Sequence, residues 1–185
     1  MKFFHIKRNV SPSTLLTLII KTLILFFICF SSYATEYQSK EDFLKEVFST
    51  TPPKAKILWL KKNLQKQVSR ILQHKPGFLR TRYWQTAEQT VWIIDEIGKT
   101  KPITTAIVIK DKKIVLLKVL AFRESRGWEV KHDFFTDQFK QNSLTSDLSL
   151  TQPIDGISGA TLSVRALAKV AKLALLFENH IQHEK

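Results

Sequence analysis

The chain has 185 residues, 44% of them hydrophobic, a single cysteine and a formal charge of +13, which is enough for one domain with a real core and too little for two ordinary ones. The one cysteine, Cys29, excludes a disulfide framework, and its place in the leader described next leaves the remaining chain without a thiol nucleophile, a thiolate metal site or an attached c-type haem. His74, His132, His180 and His183 are scattered, and no third ligand accompanies the last two, so no metal site is expected.

Residues 1–34 read as an export signal. Lys2, Lys7 and Arg8 form a positive start, Thr22 to Phe30 is apolar, and Ser32-Tyr33-Ala34 ends on small residues suited to a signal peptidase. The expected mature chain starts at Thr35 and is periplasmic. An uncleaved membrane anchor over Leu15 to Phe30 is the alternative, but Lys21 divides that span. A lipid anchor on Cys29 is disfavoured, because Phe26-Phe27-Ile28 lacks the small residues such a cleavage site needs. Export and the lack of any nucleic-acid motif argue against nucleic acid as the partner of the basic charge. Solubility with attraction to an anionic membrane surface ranks first, ahead of an acidic redox partner.

Residues 35–77 are expected to form an N-terminal helical segment. Ser39 and Asp42 resemble a capping box before Phe43, Leu44, Val47 and Phe48. After Thr51-Pro52-Pro53 a second helix is predicted from Lys54 to Gln73, with Ile57, Leu60, Leu64, Val68, Ile71 and Leu72 on one face, ended by His74-Lys75-Pro76-Gly77. Residues 78–185 form the main domain. Its strands are predicted over 78–87, 90–97, 103–110 and 113–122, joined too briefly to be anything but antiparallel. Ile114-Val115-Leu116-Leu117, apolar on both faces, suggests a central strand. The fold class is α+β: an antiparallel sheet covered by the N-terminal helices and a C-terminal helix.

Beyond the strands, Glu124-Ser125-Arg126-Gly127 is a polar loop at a strand end, a common setting for a site and equally an ordinary charged turn. Trp128 reads first as a core or rim residue, second as a stacking surface. Asp133 to Phe139 looks like a short helical turn, and Gln141 to Thr151 like a loop. The small-residue stretch Asp155-Gly156-Ile157-Ser158-Gly159-Ala160-Thr161 then opens a long amphipathic helix, Leu162 to Ile181. Gly156 and Gly159 permit tight turning, Ala160 leaves room beside Thr161, and Asp155 can hold the loop by an Asx-type turn or bind a metal during a modification reaction. A hydroxyl at a helix start sits where unpaired N–H groups and the dipole favour phosphate. A helix cap on Thr161 or Ser158 would explain an isolated S-G-A-T equally well.

The whole heptad resembles the flavinylation motif of the FMN-binding domain family, Asp-x-x-Ser/Thr-Gly-Ala/Ser-Thr/Ser. Such domains occur in the FMN-carrying subunits of sodium-translocating NADH:quinone oxidoreductase and in small exported proteins. The resemblance implies covalent FMN on Thr161, attached by a Mg-dependent FAD:protein FMN transferase. It also implies that Asp155, Gly156, Ser158, Gly159 and Ala160 belong to the cofactor-binding motif, with Asp155 and Ser158 shaping the loop the transferase recognises. Glu124-Ser125-Arg126-Gly127 fits the family's Glu-Ser/Thr-x-Gly loop beside the flavin, with Arg126 where better-known members have proline. The implied function is an exported electron carrier with a membrane-bound or extracytoplasmic redox partner, no catalytic residue of its own being needed. A flavin-dependent reductase, or a module that has lost its cofactor, are the alternatives.

Overall fold

The computed structural model describes residues 35–49 and 51–183, together with Lys21. The predicted export leader, 1–34, otherwise lies outside the described residues. Residues Ala34–Lys185 make one compact unit. Its elements in chain order are β1 (Thr35–Glu36), α1 (Lys40–Phe48), β2 (Lys56–Trp59), α2 (Lys62–Leu72), β3 (Arg80–Gln85), β4 (Thr90–Ile97), β5 (Pro102–Lys110), β6 (Lys113–Phe122), α3 (Asp133–Thr136) and α4 (Thr161–His183). The strands form one antiparallel sheet in the order β1-β6-β5-β4-β3-β2. Helices lie on both faces, as expected for the α+β class.

Two cores flank the sheet. On one face α1 presses Phe43 and Leu44 onto Val91, Ala106, Val108 and Leu120. Ser39 starts this helix, its Oγ accepting from Asp42 N at 3.1 Å. On the other face α2 and α4 cover Trp92, Ile94, Ile107, Ile109, Ile114 and Leu117. Besides the expected stripe of Leu167, Val170, Ala174 and Phe177, α4 also buries Leu173, Leu175 and Leu176, because it packs against α2 as well as the sheet. Each such side chain removed from water contributes about 1.5–3 kcal/mol. Every residue of the two clusters lies between Phe43 and Ile181, so this unit carries its own core.

The structure departs from the sequence reading at three places. The predicted helix from Lys54 to Gln73 is a strand, Lys56–Trp59, followed by a shorter helix, Lys62–Leu72. Leu58 and Leu60 are buried while Ile57 and Trp59 face out. That alternation is a strand's period of two, and pairing with β3 wins over helix propensity. The second difference is β1, a two-residue strand at the opposite sheet edge, paired with Ala121 and Phe122. Third, the strand buried along both faces is β5, from Ile103 to Ile109. Val115 and Leu116 of β6 are only half-buried; among the described residues, the backbone bonds of that edge beyond β1 go to Tyr37, Gln38 and the 141–142 loop. At the β5–β6 turn, Asp111 and Lys112 both have positive φ, the conformation that a two-residue hairpin requires.

Candidate functional site

Three loops converge at one end of the sheet. The first is the β4–β5 turn, Gly98 to Lys101, and it is held by Glu124 from the end of β6. Glu124 Oε1 accepts from the backbone N–H groups of Lys99 at 2.5 Å, Thr100 at 2.6 Å and Lys101 at 2.8 Å, and Thr100 Oγ1 donates to Oε2 at 3.2 Å. Desolvation would raise the carboxyl's pKa, but these donors together outweigh it and hold it below the ordinary carboxylate range. A Cβ on Gly98 would stand 3.2 Å from Glu124 Oε1 and from Ile103 Cδ1, so the missing side chain lets the carboxylate reach the turn. Next to it Arg123 donates to Pro102 O at 3.2 Å and Thr104 Oγ1 at 2.9 Å, fastening β6 to β5.

The second loop, Ser125 to Gly127, rests on the third. Gly127 has φ +87, and a Cβ there would lie 2.6 Å from Ser163 Oγ and 3.4 Å from Ala160 Cβ. Its backbone is therefore seated on the first turn of α4. Ala160 and Ser163 are buried in this contact. The smallness of Ala160 serves loop-to-helix packing, and Ser163 is too enclosed to be a modification acceptor.

The third loop carries the heptad. Ala160 N donates to Ile157 O at 3.0 Å, closing a turn whose third residue, Gly159, has φ +81, the position where glycine is favoured. Gly156 has no positive φ and open space around its Cα, so the turning ascribed to both glycines falls to Gly159 alone. Asp155 is fixed through its backbone, its N–H donating to Gln138 Oε1 at 2.7 Å. Behind it the fully buried Asn142 accepts from Gln152 N at 2.8 Å and donates to Gln138 O at 3.1 Å. These two amides set the path of the loop into the motif.

The result is a cleft of about 340 Å³ lined by Lys99, Glu124, Ser125, Arg126, Gly159, Ala160, Thr161, Leu162 and Ser163. Of the residues singled out from sequence, Glu124, Ser125, Arg126, Gly159, Ala160 and Thr161 meet there. Asp155, Gly156, Ser158 and Gly127 do not line it: the first three are exposed along the motif loop, and Gly127 lies buried beneath. Trp128 is 47% exposed, a rim residue with its ring edge-on to His132. Lys99, Asn142 and Gln138 were not anticipated. Only Gly98, in an evident turn, could have drawn attention to Lys99 beforehand.

Thr161 is exposed and is the first residue of a 23-residue helix. Ala160, which precedes it, has no side-chain acceptor with which to cap the first-turn N–H groups, and a helix start favours an anion. Lys99 and Arg126 add positive charge, and Ser125 and Thr161 add hydroxyls. This donor set suits a phosphate attached to a polar chain and a ring with carbonyls, which is the chemistry of FMN. Among the described residues there is no cluster able to hold a metal ion. No curated protein matches the chain. Residues 98–176 match the family model of the FMN-binding domain, a span that begins at the Glu124-held turn and ends within α4. Residues 98–176 are thus similar to the FMN-binding domain family, and that match supports FMN as the occupant of the cleft these residues build.

Proposed function

We propose that the protein is an exported electron carrier whose FMN is held by a phosphoester to Thr161. The observation that carries this reading is the exposed Thr161 side chain at the start of α4, in the same cleft as Lys99, Ser125 and Arg126. In attachment, the Thr161 hydroxyl oxygen attacks the phosphorus on the FMN side of FAD. The bond from that phosphorus to the bridging oxygen breaks, and AMP leaves. The hydroxyl proton passes to a base of the Mg-dependent transferase, so this chain needs no base of its own. Bound FMN supplies reversible one- and two-electron chemistry, and the chain supplies position and charge. Lys99 and Arg126 favour the anionic parts of the cofactor, and Glu124 keeps Lys99 in place through the turn backbone.

A tether suits the proposed export, because flavin lost outside the cytoplasm would not be replaced. The redox partner is then a membrane-bound or extracytoplasmic protein. Co-expression of Thr161→Ala and Thr161→Ser variants with a flavin transferase tests the tether. Flavin fluorescence on a denaturing gel should vanish in the first and persist in the second. Fluorescence undiminished in Thr161→Ala would move the acceptor elsewhere, with Ser158, exposed in the preceding turn, as the next candidate.

A further inference from the structure

Away from the cofactor cleft, the stretch from Val47 to Ala87 holds nine Lys and Arg and no Asp or Glu. It contains β2, α2 and β3, outside the FMN-binding domain match. Among the described residues Lys56, Lys62, Lys66, Arg70, Arg80 and Arg82 have no carboxylate partner. The register pairs Ile57 with Arg82 and Trp59 with Arg80, and Trp84 with Val91. Since cross-strand partners share a face, Ile57, Trp59, Arg80 and Arg82 lie on the face that α1 covers further along. Here α1 leaves it bare: Ile57 is 46% exposed and Trp59 56%. The Arg80 guanidinium stands 5.3 Å from the Trp59 ring centroid. Two acids, Glu41 and Asp95, line the groove toward α1 together with Arg80 and Arg82.

We propose that this edge docks the protein on an anionic phospholipid surface, with Trp59 and Ile57 entering the headgroup region and the surrounding cations meeting lipid phosphates. Tryptophan with apolar neighbours inside a basic ring is the side-chain set that favours a membrane interface. Each cation near an anionic bilayer adds to binding. An acidic protein partner is the competing occupant, but protein interfaces fix register by placing both signs of charge. A segment with one sign only suits a surface that has no pattern to match. The pairing order also puts Trp59 and Arg80 at the sheet end where β4 runs into the Glu124-held turn. From strand spacing and rise, that turn is within roughly 20 Å, so docking here would bring the cofactor cleft close to the bilayer. The proposal does not rest on the flavin tether.

The test uses the chain from Thr35 onward, without flavin, and vesicles of equal parts phosphatidylglycerol and phosphatidylcholine against phosphatidylcholine alone. Sedimentation should show binding to the anionic vesicles at least about tenfold tighter, weakening as salt is raised. The Lys56→Gln, Arg80→Gln, Arg82→Gln triple variant should lose roughly a hundredfold. Brominated lipid should quench tryptophan emission in the parent and much less in Trp59→Phe, whose unchanged circular dichroism would show that it folds. Equal binding to both vesicles, full binding by the triple variant, or quenching unchanged in Trp59→Phe would each overturn the proposal. Failure on vesicles with tight binding to soluble polyglutamate would overturn it too, in favour of an acidic protein partner.

Discussion

The cofactor cleft and the β2–β3 edge lie at the same end of the sheet and are built on opposite terms. In the cleft, small residues bring backbones together: Gly127 sits on Ser163 and Ala160, Gly98 admits Glu124, and Gly159 makes the turn before Thr161. At the edge, long cationic side chains stand around exposed Ile57 and Trp59. One region works by exclusion of atoms and the other by accumulation of charge. Single substitutions should therefore act sharply in the cleft and gradually at the edge.

The sharpest expected effect is Thr161→Ala, which should remove covalent flavin altogether and leave the melting temperature of the flavin-free protein within a degree or two, since the side chain is exposed. A fall in stability as large as that of a core mutant would blur the distinction, because it would make Thr161 structural. Next comes Gly127→Ala. A Cβ 2.6 Å from Ser163 Oγ, on a backbone with φ +87, combines overpacking with left-handed strain and should cost about 2–4 kcal/mol by denaturant unfolding. Adding Ser163→Ala removes the nearest atom and should restore part of that loss. No restoration would mean that the loop does not rest on α4 as described.

Glu124→Gln should cost about 1–2 kcal/mol, because a neutral amide accepts three backbone N–H groups less strongly than a carboxylate and the site is partly solvated. The pH dependence has a definite sign. The folded-state pKa of Glu124 is lowered, so its stabilisation is complete above the ordinary carboxylate range and fades as pH falls through and below it. The Gln variant should show a shallower acid loss than the parent, and identical acid profiles would contradict the turn-holding role. The smallest effect belongs to the edge. Trp59→Ala or Arg82→Gln alone should change stability by no more than about 0.5 kcal/mol. A larger loss would show that the edge is part of the packed structure and not a free surface.

Much of this was legible in the sequence where a local pattern and the tertiary fold agree. Strands β4 to β6 are near their predicted bounds because alternating and apolar runs between short turns leave few other solutions, and α4 because its apolar period persists over many turns. The meeting of the Glu124 loop with the heptad was expected from two motifs distant in sequence. What the residues could not reveal depends on partners in space. Lys56-Ile57-Leu58-Trp59 fits a helical stripe as well as a strand until β3 is beside it. That Glu124, which lines the cleft, also holds three backbone N–H groups shows only once the β4–β5 turn is beside it. Gln138, in the stretch that reads as a short helical turn, and Asn142, in the stretch that reads as polar loop, guide the motif by hydrogen bonds to the backbone before it, and the burial of Asn142 leaves no periodic trace.

The central claim is the phosphoester at Thr161, and intact mass tests it most directly. The protein would be co-expressed with a flavin transferase in an exporting host and weighed under denaturing conditions, which release any flavin that is merely bound. The account predicts a mass increase of one FMN less one water, on the peptide that contains Thr161. An unmodified mass in the presence of an active transferase, or an adduct on another peptide, would contradict it.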